Sequence, residues 1–201
     1  MDEQTTLRAR KKARTREALQ NAAMVLFVAR GFDAATVDEI ATAAEVSQRT
    51  FFRHFPTKEA VVFAQHGERM ERFRALLAGH EESMPPVDAV RATLRSIARD
   101  YMEDREALLA EYRVVTASPA LTLRDLEHDS EYEAAIAAAL VRGAPAAPPR
   151  DLRILAGAVM GAIRAAMTEW FAAECQGDLE EIGQVAFRLL VAGMREIAAR
   201  S

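Results

Sequence analysis

The segment from Thr36 to Lys58, with the sequence TVDEIATAAEVSQRTFFRHFPTK, constrains the fold of this chain more than any other stretch. Thr36 and Glu39 have the spacing of a capping box, which predicts the start of a helix. Ser47 is placed to cap a second helix after a short turn. Two short helices joined by a tight turn are the layout of a helix-turn-helix, which places its second helix in the major groove of DNA.

The predicted bounds of these two helices are about Val37–Ala44 and Gln48–His54. Pro56 ends the second helix, because proline disfavours helical geometry in the residue before it. Thr57 then caps a long helix that is predicted to run to about Gly79. We expect this long helix to join a DNA-binding head to the rest of the chain.

The remainder of the sequence also favours helices. Apolar residues recur at spacings of three and four from about Ala13, and Gly31 has the position of a C-cap for this first helix. Alanine is abundant and strand-forming residues are sparse, which favours helices further. Later helices are predicted from about Val87, from Arg105, from Pro119 to Val141, from Arg150 to Glu174 and from Leu179 to Ala199. We therefore predict an all-α fold of about nine helices.

The charge of the chain divides it into two parts. The net charge is −4, but residues 1–58 hold ten Lys and Arg against seven Asp and Glu. This asymmetry suggests a basic DNA-facing head on an acidic body. Together with the helix-turn-helix it predicts a DNA-binding domain at 1–58, and we expect the rest of the chain, 59–201, to be a ligand-binding and dimerisation domain. Residues 1–12 form a basic N-terminal arm in this prediction. The alternatives for the basic run at 8–16 are a solvated, disordered tail and an arm that contacts DNA phosphates.

Several classes of protein are disfavoured by what the sequence lacks. Cys175 is the single cysteine, so an intramolecular disulfide is excluded and a reducing cytoplasm is expected. The N-terminus lacks the apolar run of a signal peptide, and no stretch has the ~20 continuous apolar residues of a membrane span. The four histidines lack metal-ligand spacing, and there is no Gly-rich phosphate loop or G-x-S-x-G motif. We expect no metal, no cofactor and no enzymatic activity; a saturable activity would favour the rival class, an enzyme.

The second helix of the helix-turn-helix carries side chains suited to DNA. Those predicted to face base edges are Ser47, Gln48, Arg49 and Thr50. Glutamine can pair with adenine and arginine with guanine, and a good bidentate pair adds ~1–3 kcal/mol of discrimination. Those predicted to lie near phosphates are Arg53, His54 and Lys58. The alternatives are that Gln48 and Thr50 are ordinary exposed residues, that Arg53 is solvated, and that His54 is packed in the core.

At these residues the chain resembles the TetR family of bacterial repressors. The resemblance spans about residues 11–63 and is carried by ARGFDAATV and DEIATAAEVSQRTFFRHFPTKEAVV. It implies an all-α fold with a DNA-binding head and a ligand-binding, dimerising body. We therefore predict a homodimeric transcriptional repressor that a small ligand releases from a palindromic operator. The resemblance also implies that DNA is faced by Gln48, Thr50, Phe52, Arg53, His54 and Lys58, with Thr36 near the DNA backbone.

Two positions depart from the family pattern. Phe52 stands where the family often has tyrosine, and phenylalanine cannot donate a hydrogen bond to a phosphate. Glu45 stands in the turn where the family often has glycine, and a left-handed backbone is unfavourable for glutamate.

The body offers candidate ligand-binding residues, which are Tyr101, Met102, Tyr112, Arg113, Met160, Arg164 and Met167. Methionine suits an adaptable apolar pocket, although the same spacing is also typical of plain core. Arg164 lies within an apolar stripe, where a buried guanidinium needs a partner. That partner is either an acid such as Asp100, Glu127 or Glu131, or an anionic ligand.

The last two helices carry small and apolar residues at helix-packing spacing. The candidate dimer-interface residues are Gly157, Gly161, Ile182, Ala186, Leu189 and Leu190. The resemblance implies a two-fold interface of four helices, two from each subunit. The alternative is that these residues pack within their own domain.

A second resemblance concerns one actinobacterial branch of the same family, which includes the regulator of mycofactocin gene clusters. It is carried by TFFRHFPTKE, by the SPAL segment at 118–121 and by the spacing of Arg164 and Trp170. It implies a fatty acyl-CoA or another amphipathic anion as effector. Because the long fourth helix is predicted to join head to body, we expect a bound ligand to tilt that helix. The alternative is a DNA-binding regulator that is controlled by a protein partner or acts without a small-molecule effector.

Overall fold

The computed structural model describes residues 3–81 and 83–199, and within these residues the chain forms ten α-helices and no strand. The helices are α1 (Glu3–Arg30), α2 (Val37–Ala43), α3 (Gln48–His54), α4 (Glu59–Val62), α5 (His66–Ala78), α6 (Pro86–Glu103), α7 (Arg105–Thr116), α8 (Pro119–Gly143), α9 (Pro149–Ala172) and α10 (Leu179–Ala199). The predicted all-α class is confirmed.

The first helix begins earlier than predicted, at Glu3 instead of near Ala13. Residues 3–12 contain no glycine or proline to interrupt a helix, and leucine, arginine, lysine and alanine are all good helix formers. The basic run at 8–16 is therefore part of α1 and is not a disordered tail. Residues 1 and 2 of the predicted arm lie outside the described residues.

The long fourth helix of the prediction is two helices, α4 and α5, separated by a turn at residues 63–65. Arg16 Nη2 donates a 2.9 Å hydrogen bond to the carbonyl of Ala64, which in a continuous helix would accept from a backbone N–H. Gly67 follows the turn, and glycine disfavours helix continuation. The single extra helix relative to the predicted number comes from this break.

The described residues form two compact units. One holds the chain up to His66 together with Ala110–Arg124, and the other holds Gly67–Leu109 and the chain from Asp125 onward. The first unit therefore extends beyond the range 1–58, because Val114, Val115 and Leu121 are buried in the core of the head.

An aromatic cluster forms the centre of the first unit. Phe27, Phe51 and Phe55 are almost completely buried, together with Ile40 and Val61. The ring centroids of Phe51 and Phe55 lie 5.9 Å apart at a tilted angle, which is a favourable geometry for aromatic pairs. Since Phe51 belongs to α3 and Phe27 to α1, this core fixes one face of α3 and leaves the opposite face outward.

The second unit is built around α9. Six of its residues are buried, and they are Leu152, Ala156, Val159, Met160, Ala166 and Trp170. Among the described residues, α9 is the one helix that is long and apolar enough to cross a membrane. Its buried face packs in the protein core and its Arg164 forms an ion pair with Asp129, so we interpret it as a core helix.

Candidate nucleic-acid interface

The backbone of the helix-turn-helix is fixed by its two caps and by the turn. Thr36 and Glu39 form the predicted capping box, and Ser47 Oγ accepts a 3.2 Å hydrogen bond from the backbone N–H of Thr50. Glu45 adopts a φ of 56°, the left-handed geometry expected at this turn. The N–H of Val46 donates to the carbonyl of Ala41 at 2.9 Å, which satisfies a carbonyl at the end of α2.

The outer face of α3 is polar with one aromatic ring. Gln48, Arg49 and Arg53 are exposed, and the Phe52 side chain is 52% exposed beside the buried Phe51. Ser47 and Thr36 are also exposed, whereas Thr50 is half-buried and its hydroxyl lies 3.1 Å from Ser47 Oγ. This face could present two guanidinium groups and one amide to a base edge or a phosphate.

Gln48 is held by a residue of the preceding helix. Its Nε2 donates a 2.9 Å hydrogen bond to Oδ1 of Asp38, in the first turn of α2. An ionised carboxylate only accepts hydrogen bonds, so the NH₂ end of the Gln48 amide faces Asp38.

Lys58 has structural partners in the head. Its Nζ donates to the carbonyls of Phe32 at 2.8 Å and Ala35 at 2.9 Å, and it lies 4.2 Å from the centre of the Phe32 ring. The ammonium therefore joins the segment before α4 to the loop before α2. An ammonium has three N–H groups, so one remains for a phosphate.

Arg16 on α1 ties together the end of α3 and the turn after α4. Its Nη1 donates to the carbonyl of His54 at 3.0 Å, and its Nη2 donates to the carbonyl of Ala64 at 2.9 Å. The guanidinium also lies 4.2 Å from the centre of the Phe55 ring. Guanidinium stacking and two charge-assisted hydrogen bonds fix the position where α3 ends.

His54 at the end of α3 is half-buried, and its Nδ1 has no hydrogen-bond partner within the part of the chain that the structure describes. Burial lowers the pKa of His54, and the positive charges of Arg53, Lys12 and Arg16 lower it further. A phosphate near this imidazole would favour its charged form. His54 is therefore both packed and placed among cations.

Glu39 connects α2 to the end of α1. Its carboxylate accepts hydrogen bonds from the backbone N–H of Thr36 and from Arg30, at 2.9 Å and 2.8 Å. These bonds lower the pKa of Glu39 to about 2, and the bond from the Thr36 backbone has the largest effect. The capping box is therefore charged across the ordinary pH range.

Arg16 and Asp38 are the residues of this site that sequence reasoning missed. Arg16 lies in a run of six basic residues, and nothing in the run distinguishes it from its neighbours. Asp38 fits an ordinary acidic first turn, which is favourable at any helix N-terminus. Only the spatial approach of α2 to α3 and of α1 to α4 shows their contacts.

The candidate ligand-binding residues of the body lie in more than one apolar cluster and in both units. Tyr101, Met102 and Met167 join one apolar cluster around the buried Trp170. Met160 lies in another cluster of the second unit. Tyr112 and Arg113 belong to the first unit, within Ala110–Arg124.

Arg164 differs from its prediction in burial and in partner. Its side chain is 53% exposed, so it is not a buried guanidinium. Its Nε donates a 2.9 Å hydrogen bond to Asp129 on α8, and not to any of the three acids proposed from the sequence. The apolar stripe that suggested burial lies on the adjoining face of α9, where Met160 is buried.

The candidate dimer residues lie on α9 and α10, which pack against each other. Leu189 is 68% exposed, and a Cβ added at Gly161 would meet open space. The other four, Gly157, Ile182, Ala186 and Leu190, are half-buried. A Cβ added at Gly157 would lie 3.4 Å from the Glu133 carboxylate, so Gly157 faces a side chain of its own chain.

The capped helix α3, with its buried aromatic face and exposed polar face, defines a helix-turn-helix protein. Residues 19–65 match the family model for bacterial regulatory proteins of the tetR family, and residues 84–195 match the model for the MftR C-terminal domain. Because the second match alone covers more than half of the chain, this chain belongs to the TetR family and carries an MftR-type C-terminal domain. It is a transcription regulator with a helix-turn-helix DNA-binding domain, and the family consists of regulators and not of enzymes.

Individual relatives agree with this assignment. The chain is 37% identical over 137 residues to the transcriptional regulator TcmR of Streptomyces glaucescens, over 65% of this chain and 61% of TcmR, which is less than two thirds of that relative. It is 25% identical over 188 residues to the putative mycofactocin biosynthesis regulator MftR of Mycobacterium tuberculosis, over 92% and 93%. Among solved structures it is similar to FadR of Thermus thermophilus, a TetR-family repressor in complex with lauroyl-CoA, with a TM-score of 0.61, 30% identity, and coverage of 89% of this chain and 94% of FadR.

Proposed function

We propose that this protein is a cytoplasmic, homodimeric transcriptional repressor that grips a pseudo-palindromic DNA operator and is released by an amphipathic anionic ligand. DNA binding is supported most directly by the exposed polar face of α3, which lies opposite the buried Phe51. Gln48 and Arg49 read base edges, and Phe52 contacts a sugar or a thymine methyl group. Ser47, Thr50, Arg53, His54 and Lys58, together with Thr36, complete the DNA surface.

Binding to DNA is tested by fluorescence anisotropy on a duplex selected from random sequence. The selected site should bind at least a thousand times more tightly than a scrambled duplex of equal length, as is typical of specific binding. The variant Arg49→Ala should lose preference at one base position, whereas Arg53→Ala should weaken all duplexes alike. Equal affinity for the selected and scrambled duplexes would refute the DNA-binding proposal.

Dimerisation is supported by the exposed apolar side chains of α10. Val185 and Leu189 are both exposed and lie four residues apart on one face of this helix. Exposed apolar patches on helices commonly mark interfaces, and two copies are needed to read two half-sites.

The variant Leu189→Asp tests this interface and should give a monomer in light scattering and weaken operator binding. The matched control is Leu123→Asp, since Leu123 is another exposed leucine, on α8. A dimer that persists in Leu189→Asp would place the interface elsewhere.

The ligand part of the proposal is supported by FadR of Thermus thermophilus, which was solved with lauroyl-CoA. In the second unit, Tyr101, Met102 and Met167 supply an apolar wall, and Arg164 is the candidate anchor for an anion. A bound anion would compete with Asp129 for the guanidinium. A ligand shifts the equilibrium between two states only by its difference in affinity for them.

Release is tested by adding lauroyl-CoA to the complex with DNA. Saturating ligand should lower operator affinity, and Arg164→Gln should require more ligand for the same effect. Coenzyme A without the acyl chain is the control for the apolar wall. Unchanged affinity with saturating lauroyl-CoA would discard this ligand class and favour a regulator that is controlled by a protein partner or acts without an effector.

A further inference from the structure

We infer that Asp38 is a positioning residue that sets the orientation of the Gln48 side-chain amide and thereby determines which base Gln48 reads. The inference rests on the proposed function, since it takes Gln48 to face a base edge. It is carried by the 2.9 Å hydrogen bond from Gln48 Nε2 to Asp38 Oδ1, which spans the turn between α2 and α3.

A free glutamine amide can present its oxygen or its NH₂ group on either side, because rotation about the terminal bond has two broad minima of similar energy. Asp38 removes this freedom. Its carboxylate repels the amide oxygen and accepts a hydrogen from the NH₂ group, so one orientation is selected. The second N–H and the oxygen of the Gln48 amide then keep a fixed arrangement, with the donor on one side and the acceptor on the other.

A fixed order matters because adenine presents an acceptor at N7 beside a donor at N6 in the major groove. An amide in the correct orientation donates to N7 and accepts from N6. The reversed amide would place its oxygen against N7, where two acceptors repel. Guanine presents two acceptors at these places and cannot satisfy the amide oxygen.

Asp38 also carries a negative charge on an exposed surface close to the predicted DNA. Charge alone disfavours the approach of phosphates, so removal of this charge should raise affinity for every duplex to a similar extent. The orienting effect instead changes the ratio between affinities for different bases at one position. The two effects are therefore separable in one experiment.

The test compares Asp38→Asn with the wild type on a panel of duplexes that carry all four bases at each position of a half-site. Asparagine has the size of aspartate but can accept or donate, so it no longer selects one amide orientation. Ordering a flexible side chain costs roughly 0.5–1.5 kcal/mol, so the preference at one position should fall by roughly two- to tenfold. Asp33→Asn, also exposed in the head, is the matched control for charge and should leave all preferences unchanged.

Gln48→Ala identifies the position concerned. It should abolish the preference at the same base position as Asp38→Asn affects, and the double variant should show the same base preferences as Gln48→Ala alone. A uniform change in affinity for Asp38→Asn with no change in preference at any base position would overturn the inference, as would a further loss of preference in the double variant. A wild type without preference among duplexes would instead overturn the proposed function, and the inference with it. Thermal unfolding of each variant checks that the exposed substitutions leave the head folded.

Discussion

Lys58 offers a quantitative test of how the head is held together. Its ammonium donates to the carbonyls of Phe32 and Ala35 at 2.8 Å and 2.9 Å and lies over the Phe32 ring. Hydrogen bonds to charged groups contribute ~1.5–3 kcal/mol each, and an exposed cation–π contact contributes ~0.5–1 kcal/mol. Lys58 is half-buried and one ammonium serves all three contacts, so we expect a total of about 2 kcal/mol.

The variant Lys58→Met keeps most of the aliphatic stem and removes the ammonium. Its free energy of unfolding in urea should be about 2 kcal/mol lower than that of the wild type, at equal protomer concentration and unchanged m-value. Lys11→Met on the exposed face of α1 is the matched control and should remain within about 0.5 kcal/mol of the wild type.

The same variant separates structural and phosphate-binding roles of Lys58. Loss of one phosphate contact should decrease the slope of log affinity against log salt by about one unit. A drop in stability without a change in this slope assigns Lys58 to the scaffold alone, and a drop in both assigns it to both roles. A Lys58→Met protein as stable as the Lys11→Met control would refute the structural reasoning.

Three further predictions concern the same head. Arg16→Met loses two charge-assisted hydrogen bonds, so its unfolding free energy should fall by about 1–3 kcal/mol relative to the exposed control Arg14→Met; equal urea midpoints would contradict this. Folding lowers the pKa of His54 from 6.5, so the unfolded chain binds more protons and the wild type should lose stability as pH falls through 6.5. The unfolding free energy of His54→Gln should depend less steeply on pH between 5 and 7, and an equally steep dependence would rule out this linkage. Glu45→Gly relieves a left-handed φ of 56°, so thermal melts should show a gain of up to about 1 kcal/mol, whereas a loss would mean that the Glu45 side chain stabilises the turn.

The helix-turn-helix could be predicted in detail because its signals are local. The Thr36 capping box, the Ser47 cap and the Gly31 C-cap each depend on residues at most four positions apart, and all three are present. The bounds of α3 agree with the prediction for the same reason. The left-handed backbone at Glu45 agrees with the family resemblance, which often places glycine at this turn, although the local propensity of glutamate disfavours that geometry.

What the sequence did not reveal depends on contacts between distant residues. The break between α4 and α5 involves the Arg16 guanidinium, 48 residues away along the chain from the carbonyl that it binds. The apolar periodicity placed Arg164 in the same stripe as Met160. The two side chains differ by a few tens of degrees around the axis of α9, and this difference leaves Met160 buried and Arg164 half-exposed. The predicted tilt concerned one continuous fourth helix, whereas the structure has two helices, α4 and α5, in its place.

DNA sequence is read by α3 in the proposed function. The most direct test is selection of duplexes from random DNA by the wild-type protein, followed by anisotropy titration of the enriched site against its scrambled version, with Gln48→Ala/Arg49→Ala in parallel. If α3 reads DNA sequence, the selection should enrich a two-fold symmetric site, the wild type should strongly prefer it over the scrambled duplex, and the double variant should lose most of that preference. Enrichment of no site, or an enriched site that the double variant prefers as strongly as the wild type does, would contradict this role of α3.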